Sequence, residues 1–61
     1  MKIIVTTQEL QVGDVWNNLE IIRIDPPDRP YTLYEVWLSN GRLTYPQKDS
    51  EWMIERKVER I

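Results

Sequence analysis

The 61-residue sequence contains no cysteine and no histidine, and these two absences exclude several classes of function. Without cysteine the chain has no disulfide, no thiolate zinc ligand and no thiol nucleophile. Without histidine it lacks the most common general base and the most common metal ligand, so triads that use an imidazole are impossible. Only carboxylate chemistry remains, and a domain this small has little room for a substrate cleft. We therefore expect a non-enzymatic protein without a metal or cofactor.

A strong excess of one charge and long apolar runs are also missing. Eight basic and ten acidic residues give a formal net charge of −2. This balance favours solubility and provides no large basic surface for binding DNA. The apolar stretch at residues 3–5 is too short for a signal peptide or a membrane span. We expect a cytoplasmic protein that does not enter a membrane.

The length predicts a single small domain over residues 1–61. A chain of this size buries only about 60 % of the surface that its unfolded form exposes, so its stability is marginal. Association with a second copy is one way to gain stability. A homo-oligomer is therefore one expectation.

Short runs of β-branched and apolar residues predict strands rather than helices. The predicted strands cover residues 2–6, 19–24, 31–39 and 42–45. Residues 25–30 include three prolines, which remove backbone donors and restrict the preceding residues, so this segment is predicted to be a stiff exposed loop.

Turn residues separate the predicted strands. Thr6 and Glu9 have the spacing of a capping box and predict one short helical turn. The Gly-Asp pair at 13–14 and the Asn-Asn pair at 17–18 are further turn candidates. The Asn-Gly pair at 40–41 predicts a two-residue type I′ hairpin, in which the glycine adopts a positive φ.

The last segment, residues 51–61, fits two kinds of element. Ile54, Val58 and Ile61 have helical spacing, whereas Trp52, Ile54 and Val58 also fit one face of a strand. A closing fifth strand is favoured because a meander of strands precedes it. The predicted fold is all-β, or β with a short C-terminal helix, and the expected architecture is a small five-stranded barrel that reduces exposed edges.

Four short motifs carry a resemblance to a known group of proteins. They are residues 9–15 (Glu-Leu-Gln-Val-Gly-Asp-Val), 38–42 (Leu-Ser-Asn-Gly-Arg), 44–46 (Thr-Tyr-Pro) and 54–56 (Ile-Glu-Arg). Together they resemble the small SH3-like β-barrel proteins found among uncharacterised bacteriophage products. The resemblance implies an SH3-like fold and an accessory role in the cytoplasm of a phage host, but it carries no functional residues across. The proline-containing loop and the tail from residue 57 depart from the pattern.

The aromatic residues are three tryptophans and three tyrosines without a phenylalanine, and tryptophan and tyrosine are enriched at interfaces. If Tyr34, Val36 and Leu38 face the core, the alternate residues of that strand form an exposed apolar patch. The opposite orientation would expose Tyr34 and Val36, and one or two tryptophans commonly fill a core. The residues predicted to contact a protein partner of unknown identity are Trp37, Leu33, Tyr31, Trp16 and Trp52.

The alternative function is that of a small nucleic-acid-associated barrel in which basic side chains contact phosphates and aromatic rings stack on bases. Interleaved glutamates at 55 and 59 also allow a solvated, self-paired face. The residues predicted for the nucleic-acid alternative are Arg42, Arg56, Lys57 and Arg60.

Overall fold

A computed structural model describes residues 1–57 of the chain, and strands dominate this range. The elements in chain order are β1 (Lys2–Thr6), a 3-10 turn (Thr7–Glu9), β2 (Val15–Trp16), β3 (Leu19–Asp25), β4 (Glu35–Leu38), β5 (Leu43–Thr44) and β6 (Glu51–Glu55). Residues 1–57 contain no α-helix, and therefore no helix long and apolar enough to cross a membrane. The predicted all-β class is confirmed over the described residues, where the ambiguous last segment forms the strand β6, and residues 58–61 of that segment lie outside the described range.

The sheet is antiparallel and open, with the strand order β1-β6-β2-β3-β4-β5. The predicted five-stranded closed barrel is therefore wrong in strand number and in closure, and an SH3-like fold is not confirmed. The two-residue strand β2 is an addition to the predicted set. The edge strands β1 and β5 do not pair with each other within the described range. Because β5 has only two residues and Pro46 follows soon after, it offers too short a ladder for closure.

A bulge in β3 bends the sheet. β3 pairs Ile21 with Leu38 but Arg23 with Trp37, so Ile22 is an extra residue opposite β4. A bulge bends its strand and increases the local twist. It also explains the imperfect alternation of this strand, since Ile21 is fully buried whereas both Ile22 and Arg23 face solvent.

The hydrophobic core combines buried side chains of β1, β3, β4 and β6 with Leu10, which follows the 3-10 turn. β4 buries Val36 and Leu38 completely and turns Trp37 to the opposite face. Full burial of such a side chain contributes roughly 1.5–3 kcal/mol. Tyr34 packs at the margin of the core, as the first of the two strand orientations predicts. The buried apolar side chains are Val5, Leu10, Ile21, Val36, Leu38, Trp52 and Ile54.

The Asn-Asn turn forms where the sequence predicts a turn, whereas the Asn-Gly hairpin has a longer loop than predicted. The two-residue type I′ turn lies at Asn17 and Asn18, which both have positive φ (50° and 63°) and connect β2 to β3. At the Asn-Gly pair only Gly41 has a positive φ, 85°. Leu38 accepts a hydrogen bond from the Gly41 N–H and donates one to the Arg42 carbonyl, both at 2.9 Å. The predicted two-residue hairpin is thus a three-residue loop, in which glycine follows the turn.

We expect Gly41→Val to destabilise the protein by about 1–2 kcal/mol, because a β-branched residue is strained at this positive φ. No atom lies within 4 Å of the position that a Cβ would occupy, so the change tests backbone conformation rather than a clash. Thermal denaturation followed by circular dichroism measures the effect. Gly41→Asn is the control and should cost less, since asparagine tolerates this region. Equal melting temperatures for Gly41→Val and the wild type would contradict the prediction.

Candidate docking groove

A groove of about 670 Å³ lies between the proline-containing loop, the start of β4 and the residue that follows β5. We call it the tyrosine groove. Its walls combine three prolines of the loop with apolar, aromatic and acidic side chains. Besides the prolines, the lining includes Asp28, Tyr31, Leu33, Glu35 and Tyr45.

Backbone hydrogen bonds hold the loop that forms one wall of the tyrosine groove. The Tyr31 N–H donates to the Asp28 carbonyl at 2.8 Å, and the Tyr34 N–H donates to the Pro46 carbonyl at 2.9 Å. A β-bridge joins Leu33 to Gln47. Because prolines also fix their own φ, this wall is preorganised before any partner binds, which lowers the entropic cost of association.

The floor of the tyrosine groove comes from the strand register. β3 pairs Asp25 with Glu35. On the other side of β4, Val36 pairs with Thr44 and Leu33 bridges to Gln47. The same antiparallel register places Tyr45 opposite Glu35. Glu35 therefore lies in the middle of the outward face, between a second carboxylate and an aromatic ring.

The aromatic and apolar side chains of the tyrosine groove are unusually accessible. Tyr31 is 75 % exposed and Tyr45 is 59 % exposed, and Leu33 is also an exposed large hydrophobic residue. Tyr31 also borders a second hollow, on which Arg29 and Lys48 lie. Tyr31 is thus accessible from two neighbouring hollows.

The structure brings two of the five predicted contact residues together, Tyr31 and Leu33, in the tyrosine groove. Trp37 lies further along the same outward face of β4 and is half-buried, with Arg23 and Leu43 as its cross-strand neighbours. Its indole N–H is buried and has no hydrogen-bond acceptor among residues 1–57. Trp37 therefore belongs to the predicted patch but does not line the groove.

The other two predicted contact residues, Trp16 and Trp52, lie elsewhere and contact each other. Their rings meet edge to face at 5.1 Å. Trp52 is only 7 % exposed, and its Nε1 donates to the Thr7 Oγ1 at 2.9 Å. Trp52 is thus a core residue and not the surface contact that the sequence analysis expected, because β6 turns Met53 outward instead. Trp16 is half-buried and borders a separate hollow beside Met53.

Within the described part of the chain, the basic residues of the nucleic-acid alternative do not form one surface. The Arg56 guanidinium is bound to Asp14, with Nε–Oδ1 at 2.9 Å and Nη2–Oδ2 at 2.8 Å. Arg56 and Lys57 border a hollow whose lining does not include Arg42, which follows the β4–β5 turn. Arg60 lies outside the described residues. The prediction for these side chains remains a prediction.

The Asp14–Arg56 pair is the most buried ion pair among the described residues. Asp14 is 2 % exposed. Burial raises the pKa of the Asp14 carboxyl, but hydrogen bonds from Arg56 and the Gln11 N–H, with the Arg56 charge, outweigh burial and lower the pKa overall. The Asp14 hydrogen bond and charge likewise raise the pKa of Arg56. The pair is structural, and it removes Arg56 from the set of free cations.

Sequence reasoning missed Tyr45 and Glu35 as groove residues, and it considered Asp28 only as part of the stiff exposed loop at residues 25–30, which it regarded as a possible binding surface. A signal for Tyr45 was present, because side chains alternate along a strand and Leu43 and Tyr45 share a face. The carboxylates carried no local pattern that distinguishes them from ordinary surface charges. Their grouping depends on the register between β3, β4 and β5.

Residues 1–57 contain no group of three or more acidic side chains placed to hold a metal ion. Comparison with known proteins gives no match to a family model, a curated protein or a solved structure. The geometry of the surface therefore carries the functional interpretation.

We expect Asp14→Asn to destabilise the protein by about 2–3 kcal/mol near neutral pH. Breaking a buried pair costs about 3–5 kcal/mol, and the partial exposure of Arg56 reduces this value. The folded protein lowers the pKa of Asp14, so its contribution is present above the unfolded value of about 3.9 and is lost as the pH falls through the folded value. The difference between wild type and Asp14→Asn should therefore be constant at pH values well above the unfolded pKa and shrink as the pH falls below it.

Urea denaturation at a series of pH values measures this difference. The matched control is Asp49→Asn, since Asp49 is exposed and forms no ion pair within the described part of the chain. A gap between wild type and Asp14→Asn that stays constant with pH would contradict the assignment.

Proposed function

We propose that this chain is a protein-interaction module that docks an exposed, extended segment of a partner protein in the tyrosine groove. One observation carries the proposal: Tyr31, Leu33 and Tyr45 are all exposed and converge on one groove with a proline-stiffened wall. Large exposed apolar groups that converge in this way usually mark an interaction site.

The chemistry of the groove suits a peptide segment. Tyrosine offers a large rigid contact surface and a hydroxyl, which is why it is frequent among the residues that dominate binding energy. A groove of about 670 Å³ is within the range of sites that hold a few side chains. The carboxylates of Asp28 and Glu35 would repel phosphates, so the groove does not favour nucleic acid.

The wider setting of the module rests on the sequence. The resemblance supports an SH3-like fold and an accessory role in a bacteriophage, whereas the short length supports self-association and the lack of long apolar runs supports a cytoplasmic location. An open sheet with a bent core is compatible with divergence from a small barrel in which one edge no longer closes.

Selection from a display library of random dodecapeptides tests the docking proposal. We expect peptides whose addition shifts the backbone amide NMR resonances of Tyr31, Leu33, Glu35 and Tyr45. Tyr31→Ser should weaken the binding of a selected peptide by about 2 kcal/mol, because central aromatic residues dominate such interfaces. Isothermal titration calorimetry measures the loss.

Met53→Ser is the matched control, because Met53 is 60 % exposed on β6 and does not line the tyrosine groove. It should leave the affinity unchanged. Peptides that shift resonances around Trp16 and Met53 instead, or affinity that is insensitive to Tyr31→Ser, would overturn the proposal. A resonance shift on concentration of the protein alone would identify a second copy as the occupant.

A further inference from the structure

The tyrosine groove contains negative charge without a matching cation. Asp28 and Glu35 line it, and no lysine or arginine does. Within residues 1–57 neither carboxylate forms an ion pair. The adjacent carboxylate of Asp25 is different, because Arg23 on the same strand binds it at 2.9 Å.

The strand register adds to this imbalance. Asp25 and Glu35 lie directly opposite each other on β3 and β4. Like charges at opposing positions of a sheet are destabilising, and only one of these two is neutralised by the chain itself. Glu35 is also half-buried, so water screens it less than a fully exposed carboxylate. A cation supplied from outside would relieve this repulsion.

Aromatic rings stand beside these carboxylates. Tyr31 and Tyr45 line the same groove as Asp28 and Glu35. The face of a tyrosine ring attracts a cation, and a guanidinium also stacks on it. The groove thus combines the two groups that recognise a basic side chain, a carboxylate for its charge and an aromatic face for its flat surface or alkyl stem.

We propose that the tyrosine groove binds an arginine side chain of the partner segment, with Asp28 and Glu35 as its counter-ions and Tyr31 or Tyr45 as its stacking surface. This inference rests on the proposed docking function and names the chemistry of the partner. Arginine fits better than lysine because its planar group stacks and donates two parallel hydrogen bonds to a carboxylate, whereas lysine is a strongly hydrated point charge.

The experiment uses the 61-residue chain and the dodecapeptides selected against it. We expect arginine to be enriched among peptides that shift the groove resonances. In the tightest peptide, replacement of that arginine by citrulline, which keeps the shape and removes the charge, should weaken binding at least about tenfold, and lysine should be intermediate. Raising NaCl from about 50 mM to about 500 mM should weaken the arginine peptide more than the citrulline peptide.

Protein variants provide the second measurement. Glu35→Gln and Asp28→Asn should each weaken the arginine peptide several-fold and leave the citrulline peptide unaffected. Glu51→Gln is the charge-matched control, because Glu51 lies exposed on β6 outside the groove, and it should have no effect. Glu35→Gln also removes the repulsion with Asp25, so its melting temperature should be equal to or above that of the wild type, which separates lost binding from lost folding.

Two outcomes distinguish this inference from the docking proposal. Groove-binding peptides without a basic residue, or equal affinities for the arginine and citrulline peptides, would overturn the arginine site and leave the docking proposal standing. Failure of every peptide in the library to shift the groove resonances would overturn both.

Discussion

The ion pair between Asp14 and Arg56 is the constraint on which the rest of the sheet depends. Arg56 follows β6 directly, and besides Asp14 its guanidinium donates to the Glu9 carbonyl at 3.0 Å. Its backbone N–H donates to the Met1 carbonyl at 3.0 Å. One side chain therefore joins the end of β6, the 3-10 turn and the turn before β2. Because β6 lies between β1 and β2 in the sheet, this connection keeps the first and last strands together over a core that a chain of this length barely fills.

The tyrosine groove uses none of the residues of that ion pair. It is built from the segment after β3, from Glu35 at the start of β4 and from Tyr45 after β5, whereas Asp14 and Arg56 hold the part of the sheet around β6 and β2. β4 links the two regions through alternation, since Val36 and Leu38 fill the core while Glu35 faces the groove. The exposed side chains that line the groove, such as Tyr31 and Tyr45, can therefore change with little effect on packing. Such a separation between scaffold and contact surface is typical of modules that carry their function on loops.

Much of the fold could be predicted from local sequence, because local sequence determines it. The β-branched run at residues 2–6 is β1, and the Thr6–Glu9 capping box forms, with the Thr6 N–H 2.9 Å from the Glu9 Oε1. Closure and strand order could not be predicted in this way, because they depend on which distant strands pair. The two-residue strand β2 and the bulge at Ile22 decide that pairing, and neither has a clear local signal. For the same reason, only some of the groove residues were predicted. Tyr31 and Leu33 belong to one continuous segment, whereas Tyr45 joins them only through the register of a neighbouring strand.

The capping box has a consequence for behaviour in concentrated solution. β1 is an edge of the sheet, and its odd-numbered residues bond inward to β6, as the pairs of Met1 with Arg56 and Thr7 with Ser50 show. The N–H of Thr6 therefore points away from the sheet, where Glu9 already accepts it. A strand of another molecule that approaches this edge finds the Thr6 N–H already bound to the Glu9 carboxylate and cannot pair with it. Glu9 therefore blocks pairing of a foreign strand at the end of β1 that adjoins the 3-10 turn, whereas the outward N–H groups of Lys2 and Ile4 have no such acceptor among the described residues.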